Sequence, residues 1–250
     1  MSDRESARDP RKDRRYFDHE VEYNADMQQQ FREKIAAPET TASHRRMLRF
    51  TVYRRELEQL IVRYSRGDSA SQMRAGFPQL IDALEEYHRE PERDEGDFRR
   101  IDVYVRALWI VSLGILLDVD QMLFVRAVDA LTEGGRDAIF ERLVALRLPQ
   151  TAPSTLLQYP DPYALLLQAL ESEGAARDAS IHQFLDRWYD ALSDTYWYGS
   201  DARDDAGYFG YWCFSLAAFV KALGIDDHSF ADHPHYPRDL VHEPAQPSER

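Results

Sequence analysis

The sequence predicts an all-α protein, a multi-helix bundle of about nine helices, and three observations predict it. Apolar residues recur at steps of three and four along almost the whole chain, the period of one helix face. No stretch alternates apolar and polar residues in the manner of a half-buried strand. Glycine (11) and proline (12) are sparse over 250 residues, which suits helices joined by short connections.

Taken in order, the first helix begins near Asp13, with Phe17, Val21, Met27, Phe31 and Ile35 on one stripe and Pro38 past its end. A second covers about 44–66, striped by Phe50, Tyr53, Leu57, Leu60, Ile61 and Tyr64, with Gly67 as its stop. A third covers about 69–88, and Pro78 inside it predicts a kink or a break into two pieces. The charged stretch 89–97 reads as an exposed linker. The fourth helix, about 98–117, is apolar nearly all round and is expected at the centre. Helices over about 119–131, ended by Gly134 and Gly135, and about 136–146 follow, then a loop over 149–159. Asp161 and Pro162 read as a helix start, a capping carboxylate followed by proline in the first turn. That helix reaches about residue 171, and another covers about 176–192. After a polar, acidic loop over 198–207, the last long helix is expected over 208–223, closed by Gly224. Residues 225–250 hold several prolines and are expected to be mostly irregular.

The linker divides the chain into an N-terminal helical unit over 9–90 and a larger C-terminal helical domain over 97–242, with flexible tails at 1–8 and 243–250. The formal net charge of -13 is unevenly spread: residues 1–150 carry 25 Lys and Arg against 28 Asp and Glu, residues 151–250 only 6 against 16. A negative field of this kind repels phosphate backbones, which disfavours direct nucleic-acid binding. It attracts basic partners and speeds their association, or serves solubility alone. The single cysteine rules out an intramolecular disulfide and suits a reducing cytoplasm. Residues 1–15 lack the apolar core of a signal peptide. The most apolar run, 107–117, is too short for a membrane span, which needs about 20 residues.

Catalytic signatures are missing: no Gly-rich phosphate loop, no glycine-flanked serine elbow, no paired-cysteine zinc motif and no His-Glu-x-x-His. Three constellations carry alternatives. His228, His233, His235 and His242, interleaved with Asp226, Asp227, Asp232 and Asp239, are either a ligand set for an ion such as Zn²⁺ or the capping groups of a solvated tail. Cys213, inside the apolar run Tyr211-Trp212-Cys213-Phe214, is either a nucleophile or a small core residue; no neighbouring cation or base activates it. The dense aromatics from Trp188 to Phe214 are either a core corner or a protein-binding rim. Their interleaved acids carry the wrong sign for stacking on single strands. No metal, cofactor or catalytic residue is assigned from these patterns.

Several landmarks carry a resemblance. In the C-terminal part they are Trp197-Tyr198-Gly199, Tyr208-Phe209-Gly210-Tyr211-Trp212, Leu223-Gly224-Ile225-Asp226-Asp227, Ser229-Phe230 and Tyr236-Pro237-Arg238-Asp239-Leu240. In the N-terminal part they are Arg15-Tyr16-Phe17-Asp18, Tyr64-Ser65-Arg66-Gly67 and the stretch 77–84; Ser112-Leu113-Gly114 and Trp188-Tyr189 lie between. This ordered series, over roughly 9–242, resembles the polymorphic nuclease immunity (PoNi) family. One departure is Ser215, where the family often has an acidic residue on the turn after Tyr211-Trp212. The resemblance implies a non-enzymatic, all-α immunity protein whose partner is a DNase toxin delivered between bacteria, often by type VI secretion, and whose binding covers the toxin's active site. A DNase presents a basic cleft, so charge and expected exposure mark Asp201, Asp204, Asp205, Asp226, Asp227 and Asp232 as candidate contacts. Competing expectations are a helical scaffold or oligomerisation module and a metal-dependent hydrolase built on the His/Asp cluster. The apolar helices over 98–117 and 208–223 leave a homodimer open.

Overall fold

The computed structural model of the chain describes residues 6–89, 97–131, 135–149, 154–203 and 207–243. The two tips of the expected tails, most of the expected linker, Gly134, part of the 149–159 loop, and Asp204 and Asp205 lie outside the described residues. Among the described residues there are eleven α-helices and no strand, so the chain is an all-α helical bundle. No helix among them is long and apolar enough to cross a membrane.

Two packed units emerge. The first holds Met1–Asp94 together with Gly199–Gly210; the second holds Glu95–Tyr198 and Tyr211–Arg250. The chain therefore leaves the first unit once and returns to it for one short strap.

In the first unit, α1 (Arg14–Ala36) begins where the Asp13 carboxylate accepts from the Tyr16 amide at 2.8 Å, satisfying one of the orphan amides of a helix start. It packs along α2 (Ala42–Arg66), which Gly67 ends at φ +112, a left-handed conformation that glycine adopts without strain. The expected break at Pro78 is real: α3 (Ala70–Arg74), with a Ser69–Gln72 capping box, gives way to α4 (Phe77–His88), where Pro78 occupies the first turn. Both pack against α2, burying Phe77, Leu80, Ile81 and Leu84.

In the second unit, α5 (Ile101–Leu116) is buried at every residue from Tyr104 to Leu116, as its all-round apolarity predicts. It is surrounded by α6 (Gln121–Leu131), α7 (Ala138–Ala145) and α10 (Phe214–Leu223). Full burial of each such aliphatic side chain contributes roughly 1.5–3 kcal/mol, so this helix anchors the unit. Lys221 on α10 donates from Nζ to the carbonyls of Leu116 (2.6 Å) and Leu240 (2.8 Å), tying the end of α5 to α11 (Arg238–His242). α8 (Pro160–Leu170) and α9 (Gly174–Ala191) pair with each other.

Two expectations need correction. Asp161 does have the extended backbone of a residue preceding proline (φ -95, ψ 121; the Asp161–Pro162 peptide is cis), but its carboxylate accepts from Arg187 at 3.0 Å rather than from an amide of the first turn. The last long helix starts at Phe214, not at residue 208. Residues 208–213 run without helix because Gly210 sits at φ +115 and because distant groups take up their backbone polar atoms.

Candidate functional site

Those distant groups define the strap of the first unit. The Tyr16 hydroxyl accepts from the Tyr208 amide at 2.6 Å and donates to the Tyr208 carbonyl at 3.2 Å, standing in for a helical neighbour. The buried Ser65 hydroxyl donates to the Phe209 carbonyl at 2.7 Å, and the Tyr208 hydroxyl donates to the buried Asp9 carboxylate. Burial and the nearby Glu20 push the Tyr16 phenol up to about 12, so it remains a donor at any physiological pH. Tyr16, Ser65, Tyr208 and Phe209 all belong to the landmark segments of the sequence; within this unit they form one clasp.

In the second unit the aromatics are mostly core. Trp188, Trp197, Tyr211, Trp212 and Phe214 are buried, with Trp109, Trp188 and Tyr211 packed around Trp197 at centroid separations of 5.5–5.8 Å. Tyr189, Tyr196 and Tyr198 are only half-buried. Tyr189 and Tyr198 stack at 4.5 Å, and the Tyr198 hydroxyl donates to Asp190 at 3.1 Å. Core corner and half-open rim thus coexist in one cluster.

The acidic candidates separate by environment. Asp201 is half-buried in a short 3-10 turn (Ser200–Ala202) of the first unit. Asp226, Asp227 and Asp232 lie in the second unit. Asp226 is exposed and accepts from the His228 amide at 3.1 Å; Asp232 is 92% exposed and pairs with Arg238. Asp227 is interior: its carboxylate accepts from the Tyr236 hydroxyl at 2.9 Å and meets His242 Nε2 at 2.9 Å. It holds the C-terminal turns together and offers no face to a partner.

The other constellations resolve in the same local terms. His235 is buried with Nδ1 2.9 Å from the Tyr211 carbonyl, and its carbonyl accepts from the Cys213 amide at 2.8 Å. His233 accepts at Nδ1 from the His235 amide and holds Nε2 3.6 Å from Asp186. Among the described residues, no three His, Cys, Asp or Glu side chains gather in a way that could hold a metal ion. Cys213 is buried and its thiol is pushed up to about 12 by that burial, so it is no thiolate nucleophile at neutral pH. Ser215, also buried, lies 3.7 Å from the Cys213 sulfur.

Sequence reading did not single out a polar cleft of about 670 Å³ on the first unit, lined from α1, α2 and α4. Helical periodicity marks apolar faces, whereas a hollow between three helices leaves no periodic trace.

The model of the PoNe immunity protein (PoNi) N-terminal domain matches residues 8–129, and that of the PoNe immunity protein (PoNi) C-terminal domain matches residues 135–240. By sequence α5 and most of α6 fall in the first of these segments, while by packing they fall in the second unit. No curated protein matches the chain. Its fold is similar to the crystal structure of protein PA2201 from Pseudomonas aeruginosa, at 19% identity and a TM-score of 0.72, covering 96% of this chain and 90% of that one.

Proposed function

The chain belongs to the PoNe immunity protein (PoNi) family, and from that premise we propose that it binds a cognate DNase toxin of interbacterial competition, delivered by type VI secretion or a similar route, and silences it by covering the active site. The observation that carries this reading is the match of both family segments, which together run from residue 8 to residue 240. Charge supports the covering mode. A nuclease cleft is basic because it holds phosphates, and this chain has a net charge of -13. The protein then acts by binding rather than by catalysis, in the cytoplasm where the toxin would otherwise meet the chromosome.

The contacts we propose are, on the first unit, Asp201, Asp204 and Asp205, and, considered separately on the second, Asp226 and Asp232 with anchoring area from half-buried aromatics such as Tyr189 and Tyr198. In this reading the acids set the association rate and partner choice, and the aromatics set affinity. The test is co-expression with a candidate nuclease toxin, sought first immediately upstream of the gene, scored by survival and then by co-purification. Rescue, a stable one-to-one complex and loss of DNA cleavage in vitro are expected. Continued killing with no complex would remove the reading. In the complex, replacing Asp201, Asp204 and Asp205 together by Ser is expected to slow association, and an unchanged rate would take that loop out of the interface.

A further inference from the structure

Three rings of the second unit form a stack that ends open. Tyr189 stacks on His235 with centroids 5.2 Å apart and planes at 18°, and on Tyr198 at 4.5 Å and 25°. The stack runs outward: His235 is buried, whereas Tyr189 and Tyr198 are half-buried. Tyr198 is its last ring; among the described residues no second ring and no cation lies against it. The face of an aromatic ring carries negative partial charge and attracts a cation.

A carboxylate stands at the rim of that ring. The Tyr198 hydroxyl donates to one oxygen of Asp190 on α9 at 3.1 Å, which fixes ring and carboxylate relative to each other. That hydrogen bond raises the Tyr198 phenol above its ordinary value, so the hydroxyl stays a donor. Asp190 is exposed, and its second oxygen has no partner among the described residues. Asp194, four residues on, is also exposed and pairs with no basic group among the described residues. Arg187, one helical turn before Asp190, is held by Asp161 at 3.0 Å. An open ring face and an open carboxylate oxygen are thus fixed side by side, in the unit where acids outnumber bases 22 to 12.

A guanidinium complements this pair: it is planar, stacks on aromatic faces and presents a fork of N–H donors to a carboxylate. An ammonium is a compact, strongly hydrated point charge and matches it less well. A nucleic-acid base would meet the ring but bring its phosphates towards the carboxylates. From this we infer that the ledge formed by Tyr198 and Asp190 docks an arginine of the nuclease partner, its guanidinium flat on the open face of Tyr198 and its N–H donors on Asp190. Because the stack and the hydroxyl bond already hold the ring, little side-chain freedom is lost on docking. The inference rests on the immunity reading and deepens it: this contact selects a nuclease by one side chain rather than by overall charge.

The test measures the affinity of the full-length chain for the nuclease domain whose killing it blocks, inactivated in its catalytic site. Tyr198→Leu and Asp190→Asn are each expected to weaken binding about tenfold. Asp190 is exposed and Asn keeps an acceptor for the Tyr198 hydroxyl, so the melting temperature of Asp190→Asn is expected to hold. The surface arginines of the nuclease are then replaced one at a time by lysine. One replacement is expected to weaken binding to the natural chain about tenfold, and binding to Asp190→Asn by less than about threefold. If both variants bind within about twofold of the natural chain, or if no arginine couples to Asp190, the ledge docks no arginine and the immunity reading stands. If Tyr198→Leu loses stability together with binding, Asp190→Asn and its coupled arginine decide. If either variant breaks up a dimer of the free chain and leaves nuclease affinity unchanged, the ledge serves a second copy and the inference is overturned. If the natural chain neither binds nor silences any candidate nuclease, the immunity reading fails and this inference falls with it.

Discussion

Cys213 and His233 show how burial fixes chemistry at single residues. The Cys213 thiol is fully buried, and that burial raises it to about 12 against the weaker opposing pull of the Leu216 backbone and the Ser215 hydroxyl. The native chain is therefore expected to show almost no reaction with a thiol reagent at pH 8, and one full equivalent after denaturation; rapid native labelling would contradict the buried placement. His233 is shifted the other way: burial lowers its pKa from 6.5, against the opposing pull of Asp186, and His182 adds to the lowering. A histidine depressed in the folded state is charged more easily when unfolded. The unfolded chain then binds more protons below about pH 6.5, so stability present above that value is lost as pH falls from it through the lower value of the folded state. Protonation would also place a proton on Nδ1, where the His235 amide now donates. The melting temperature is expected to fall between pH 7 and pH 5, and His233→Gln to flatten the slope in that window.

Helix termini carry much of the specification at the scale of elements. The buried Asp137 carboxylate caps α7 by accepting from the Ile139 and Phe140 amides at 2.8 and 3.0 Å, and also accepts from the Gln158 amide at 2.9 Å and the Tyr104 hydroxyl at 3.0 Å. Removing a cap costs about 0.5–2 kcal/mol, and bare buried donors add to it. Asp137→Ala is thus expected to destabilise the chain by about 3 kcal/mol in denaturant melts, and Asp137→Asn, which keeps an acceptor oxygen, by clearly less.

Elements of this kind were legible in the sequence where their determinants are local. The stripe of α2, its stop at Gly67, the proline at the start of α4 and the all-round apolarity of α5 are each written within a few residues. Residues 208–213 were not, because an apolar aromatic run looks equally buried as helix or as extended chain. What decides between them is the Tyr16 hydroxyl, the Ser65 hydroxyl and the His235 carbonyl, all far away in sequence. The same limit applies to the candidate site. Sequence shows the charge of Asp226, Asp227 and Asp232 but not that Asp227 turns inward to Tyr236 and His242.

For the molecule as a whole, the distribution of charge makes a kinetic prediction. The second unit carries 12 Lys and Arg against 22 Asp and Glu, the first unit 19 against 22. If solubility were the only consequence, binding to a nuclease would respond weakly to salt. A long-range field acting on a basic partner instead accelerates encounter, and it is screened over about 10 Å at 0.1 M salt and about 3 Å at 1 M. Short-range anchoring by buried aromatics and hydrogen bonds is nearly blind to salt and governs dissociation. Raising ionic strength from about 0.05 to about 0.5 M is therefore expected to slow association with the nuclease by tenfold or more while changing dissociation by less than about threefold. An association rate flat across that range would assign the acidity to solubility and leave recognition to the short-range contacts alone.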